Sequence, residues 1–329
     1  MCVAPPVSAG PRPNKERKMS ETAVSVRSET APTAKPKKPS SRKKLSRIDA
    51  RVGLMFALPM FLLFIAFRFG PSIAGVLLSF FDYEITGTLE FKGIDNFKRL
   101  VSDERFWDAM RVTLTYAVLA VPLVLVTSLA MALSVRRRFR GVAFFRSVFF
   151  LPVVTSLVLA GTVFVWVFSS GGPVSVISEW MGGSGESWLN SRVLVIPALV
   201  LVGVWSRFGY GMLILLAALQ EVPRELEEAA MMDGANSWRR FWAVVFPQLK
   251  PSLFFLAIIE TTGSFQVFDL IYTMTQGGPA RGSYTLVYMI YDQGFKYYDF
   301  GYASALGVAL FVLTLIIAFV QRKVLGDKK

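Results

Sequence analysis

EEAAMMDGANSWRRFWAVVFP, residues 227–247, is a half-polar stretch set between two long apolar ones. It carries three acids, two arginines and an internal glycine, and it ends at a proline. Just upstream, Pro223 suits the first turn of a helix. Glu225, Glu227 and Glu228 follow where the helix dipole favours acids. Leu226, Ala229, Ala230 and Met231 or Met232 make a small apolar face. Gly234 supplies the backbone freedom that ends a helix, and Asn236 or Ser237 caps a second one. On that second helix Trp238, Phe241, Trp242 and Val245 recur at helical spacing. Pro247 and Pro251 are expected to close it and launch the next apolar stretch. A short helix with an alanine face and an acidic rim fits a groove on another protein. The alternative is a helix resting on lipid headgroups, which acids disfavour at an anionic surface.

The rest of the chain reads as membrane. It has 329 residues, 53% of them hydrophobic, and a mean hydropathy of +0.48. The apolar residues gather in blocks near the ~20 residues that cross a bilayer core. A formal charge of +13 points at first to nucleic acid, but 13 of the 36 Lys and Arg lie in residues 1–51. Most of the others flank apolar blocks, where they report topology, and no nucleic-acid motif is present. The one cysteine, Cys2, excludes an internal disulfide and a cysteine metal cluster. The absence of histidine excludes HExxH zinc sites and Ser-His-Asp triads. GGSGES at 182–187 lacks the lysine of a nucleotide-binding P-loop.

Six blocks qualify as crossings: 52–81, 112–135, 143–168, 193–219, 252–273 and 301–321. Gly70-Pro71 is expected to kink or interrupt the first. The link RRRFRGVAFFR, 136–146, holds five arginines, whereas loop 82–111 holds seven acids against five basic residues. Basic and non-basic loops alternate, which places both termini and loop 220–251 in the cytoplasm. The expected fold is an all-α polytopic membrane protein with six transmembrane helices in residues 51–325. Residues 1–50, rich in Pro, Ser, Thr and Lys, read as a disordered basic cytoplasmic tail.

LQEVPRELEEAAMMDGANSWRRFWAVVFPQLKP, residues 219–251, resembles the EAA motif of permease subunits in binding-protein-dependent ABC importers. The resemblance runs on through FDLIYTMTQGGPARGSYTLVYMIYDQGF, 268–295, and FGYASALGVALFVLTLIIAFVQRKVL, 300–325. It looks like the carbohydrate-uptake branch of type I importers, which includes maltose and glycerol-3-phosphate permeases. It implies that loop 220–251 docks into a separate ATPase subunit. Glu228 would then face polar groups of the ATPase cleft, Ala229 and Ala230 would pack closely, and Asp233 would cap or pair locally. Gly234 would permit the bend, with Ala235, Phe241 and Pro247 at the family's spacing. The resemblance further implies a second homologous permease, two P-loop ATPase copies and an extracytoplasmic solute-binding protein. It implies no cofactor for this chain, with ATP and Mg on the ATPase. The implied place is the bacterial inner membrane and the implied solute a sugar, with glycerol-3-phosphate as an alternative. An ion-coupled secondary transporter is the rival class, and it predicts paired broken helices in two repeats.

Counted at ~100° per residue, Thr262, Gln266, Asp269 and Thr273 form a polar stripe on the fifth crossing, a reading that suits a solute path or helix–helix contacts. Glu260 lies on its opposite face. Arg207, in the fourth crossing, and Glu260 lie ~18 and ~13 Å from the cytoplasmic ends at ~1.5 Å per residue. They are expected to pair, or Arg207 to line the cavity and favour an anionic solute. Ala303 with Gly307, and Ala305 with Ala309, are expected to allow close helix contact.

Overall fold

The computed structural model describes residues 47–83, 87, 89–137 and 139–325. The tail proposed for residues 1–50 lies outside this range except for its last turn, which is helical: α1, Arg47–Phe64, starts at Arg47. The chain divides into two units between Pro59 and Met60. The described part of the first unit is the beginning of α1, on which Leu54, Met55 and Phe56 are exposed.

Among the described residues from Met60 onward the regular elements are helices apart from one tiny ladder. A π turn, Ile65–Phe69, leads into α2, Gly70–Leu78. Pro71 therefore does not break the first crossing. The wider turn before it relieves the clash between the proline ring and the preceding carbonyls, and the helix continues. β1, Phe81–Asp82, pairs antiparallel with β2, Glu90–Phe91, an addition to the all-α expectation. α3, Asp95–Ser102, follows, and α4, Glu104–Ser134, is 31 residues long.

The third block is not one continuous helix. α5, Val142–Val154, and α6, Leu157–Val167, meet at 97°. Pro152 lies in the last turn of α5, and Thr155, which follows it, is extended. α7, Pro173–Trp180, precedes α8, Val195–Glu221. The hairpin comprises α9, Arg224–Met232, and α10, Ser237–Arg240. At Pro247 the proline expectation fails: α10 runs through a π turn, Phe241–Val245, straight into α11, Phe246–Phe265. Pro247 sits in the first turn of α11, where its missing N–H costs little beside the widened turn. α11 ends at Phe265, eight residues short of the predicted block, and α12, Asp269–Met274, starts after a break. α13, Leu286–Tyr291, and α14, Phe300–Leu325, complete the chain. Among the described residues five helical stretches are long and apolar enough to cross a membrane, and the bent α5–α6 pair, taken as one span, would make a sixth.

α8 is the axis of the bundle. Its Val195, Leu199 and Val202 pack with Tyr116 and Val124 of α4 and Ile271 of α12. Its last turns, with Leu215 and Leu219, pack on Ala132 of α4 and Leu249 and Leu256 of α11. A third cluster joins Leu100 and Phe106 to Leu286, Met289, Tyr302 and Leu306. Ala309 packs against it and Ala305 is fully buried, whereas a Cβ on Gly307 would meet nothing within 4 Å. At this end Arg99 donates to Asp299 at 2.6 Å and lies over the Tyr302 ring. Lys296 Nζ lies 2.7 Å from Asp292 Oδ1, and this close carboxylate holds the ammonium above its usual range.

Candidate functional site: a coupling hairpin and a polar cavity

The turn of the hairpin is a Schellman motif. The Gly234 amide donates to Met231 O at 3.0 Å and the Ala235 amide to Ala230 O at 2.9 Å, satisfying carbonyls that the helix end leaves free. Gly234 has φ +78°, in the left-handed region. The Asp233 amide donates to Ala229 O, so the backbone of Asp233 closes α9. Asn236, not Ser237, caps α10: its Oδ1 accepts from the Arg239 amide at 2.8 Å. Asn236→Ala should cost about 1 kcal/mol of local stability, read as faster amide exchange at Arg239.

Two faces result. Glu225, Glu228, Ala229, Met232 and Trp238 are exposed, Met232 at 89%. Glu227 and Ala230 turn toward the bundle, so the two alanines of the motif do not share one face. Phe241 packs against the α8–α11 cluster and its ring meets Trp242, while Pro247 is exposed. Between the hairpin and the bundle lies a cavity of ≈ 1010 Å³ lined in part by Arg136, Arg137, Arg146, Arg224, Glu227 and Glu228. Glu227 accepts from Arg136 and lies 3.7 Å from Arg240 Nε. Sequence reasoning missed this pair, because it read the arginines of 136–146 for topology alone. The signal was an acid one residue before the motif, on the inward side of α9.

Deeper in the bundle, a second cavity of ≈ 440 Å³ is lined by Pro152, Thr155, Ser206, Arg207, Tyr210, Glu260 and Asp269, among others. Two helix breaks border it: Thr155 comes from the α5–α6 bend, and Asp269 opens α12 after the break in the fifth crossing. Irregular backbone is tolerated at membrane depth where it lines such a space. Arg207 Nε lies 3.5 Å from Glu260 Oε2; Glu260 is 2% exposed. Gly263 makes room for this arginine, since a Cβ there would lie 2.7 Å from Arg207 Cζ.

The four-residue stripe does not survive the break, because helical counting across Gln266–Phe268 is invalid. Asp269 reaches the cavity, while Thr262 and Gln266 lie on the exposed surface of the chain. Thr273 packs on the opposite side, where a Cβ on Gly161 of α6 would lie 3.1 Å from its methyl.

A bundle of membrane-length helices, a polar cavity between broken spans and a protruding amphipathic hairpin define a membrane transport subunit. The family described as binding-protein-dependent transport system inner membrane component matches residues 104–325, and the chain belongs to it. It is a multi-pass inner-membrane permease component of an ABC importer, a transport part and not an enzyme. It is 33% identical over 303 residues to the lactose transport system permease protein LacF of Rhizobium radiobacter, covering 88% of this chain and 99% of that one. With the sn-glycerol-3-phosphate transport system permease protein UgpA of Agrobacterium fabrum it shares 31% over 278 residues, 81% of this chain and 93% of that one. The fold matches a crystal structure of a bacterial ABC transporter that imports the acidic polysaccharide alginate. The TM-score is 0.72 at 22% identity, covering 84% of this chain and 96% of that chain.

Proposed function

We propose that this permease passes a sugar or sugar-like solute, delivered by an extracytoplasmic binding protein, through the cavity beside Arg207, Glu260 and Asp269. The observation that carries this reading is the convergence of two helix breaks on one polar cavity. Hydroxyl, carboxylate and guanidinium groups there both donate to and accept from solute hydroxyls. The relatives named for lactose and glycerol-3-phosphate transport support a carbohydrate-like cargo. A second, homologous permease completes the pathway. Each permease engages one ATPase copy through its hairpin, so the assembly holds two.

The basic link 136–146 supports a cytoplasmic position for the hairpin and for both termini. ATP and Mg bind the ATPase, and closure of the ATPase pair moves the hairpins, which drag the spans with them. Solute and nucleotide act by binding the inward- and outward-open states with different affinity. Purification of the tagged permease tests this. It should recover a P-loop ATPase whose hydrolysis, in liposomes, rises with solute-loaded binding protein and drives uptake. Uptake that persists without the ATPase and follows an ion gradient would overturn the reading.

A further inference from the structure

We infer that Glu227 is the positioning residue that fastens the coupling hairpin to the cytoplasmic ends of three spans. This rests on the coupling role proposed above. Glu227 stands outside the Glu228-Ala229-Ala230 motif and points inward, away from the face offered to a partner. Its carboxylate takes Arg136 in a two-pronged contact, through Nη2 and, at 3.4 Å, through Nη1. Arg136 stands two residues past the end of α4, and its Nη2 also lies 3.5 Å from Leu219 O in the last turn of α8. On the other side Arg240 Nε lies 3.7 Å from Glu227 Oε2, and Arg240 leads through the π turn into α11. All three side chains are largely shielded, at 25%, 18% and 17% exposure for Arg136, Glu227 and Arg240.

This arrangement decides how a push is transmitted. The hairpin joins α8 and α11 along the chain but reaches α4 only through side chains, because α4 lies 90 residues upstream. A planar guanidinium held by two carboxylate oxygens resists both sliding and rotation. A displacement of α9 therefore carries α4 and α8 with it at once and reaches α11 through Arg240. Without the carboxylate, Arg136 and Arg240 repel each other across the vacated space, and the hairpin moves ahead of the bundle.

The test uses the complete transporter in liposomes: this permease, its sister, the ATPase and the binding protein. With Glu227→Gln, the ATPase should still co-purify, while solute taken up per ATP hydrolysed falls about tenfold, in the usual range of site-to-site coupling. Glu227→Asp, whose carboxylate the long Arg136 side chain can follow, should restore most of it. An unchanged ratio in Glu227→Gln overturns the inference while leaving the coupling role intact. A wild-type permease that recovers no ATPase overturns the coupling role itself. If Glu227→Gln does not assemble, the wild type decides, with spin labels at Met232 and Ala130 in a Cys2→Ser background. Their separation should stay the same with and without ATP. A shift on ATP binding would show that α9 and α4 are not fastened together.

Discussion

Arg207→Leu should destabilise the permease by about 3 kcal/mol, within the range for removing one partner of a buried ion pair. The reason is asymmetric exposure. Glu260 is 2% exposed and has one oxygen, Oε2, without a hydrogen bond, whereas the Arg207 side chain is 37% exposed and reaches the cavity. Losing the arginine leaves a nearly buried carboxylate without its counter-charge. Losing the carboxylate, as in Glu260→Gln, leaves an arginine that can turn toward the cavity, so the cost should be clearly smaller. The exchange Arg207→Glu with Glu260→Arg should recover part of the loss. Gly263→Val should imitate Arg207→Leu, because its side chain would occupy the space of the guanidinium. Thermal unfolding of the detergent-solubilised protein measures all four variants. Equal and additive single effects, with no recovery in the exchange, would remove the ion pair from this account.

The second large effect belongs to Gly234. Its φ of +78° costs an L side chain roughly 1–2 kcal/mol, and a β-branched one more. Nothing lies within 4 Å of a Cβ built there, so the penalty is conformational and not steric. Gly234→Val should therefore open the Schellman turn and reduce coupled uptake by roughly five- to thirtyfold, the factor that 1–2 kcal/mol represents. Membrane insertion should be unaffected. Gly234→Asn, which tolerates the left-handed region, should stay near wild type. Comparable losses for both would mean that the position senses bulk at the ATPase surface instead of backbone geometry.

Much of this architecture was legible in the sequence, and the failures share one cause. Block lengths gave the crossings, and Gly234 and Asn236 marked the ends of the hairpin helices through their own backbone chemistry. Proline misled. At Pro71 and Pro247 a π turn just upstream absorbs the ring, and apolar periodicity carries no sign of that. At Pro152 the helix does end, two residues later. The polar stripe failed because a single angular period was carried through Gln266–Phe268, where the helix stops. Glu227 and Arg136 escaped notice because their contact spans 91 residues and no local pattern announces it. The approach of Arg207 to Glu260 was foreseeable, since two opposite charges at similar depth in neighbouring spans have few other partners.

Everything here turns on the hairpin lying in the cytoplasm, where an ATPase can hold it. Met232, at 89% exposure, is the position to probe. With Met232→Cys in a Cys2→Ser background, a membrane-impermeant maleimide should label inside-out vesicles and leave intact cells unlabelled. Protection of the cysteine when the ATPase is bound should accompany this. Labelling of intact cells would place the hairpin on the other side of the membrane and contradict the coupling mechanism outright.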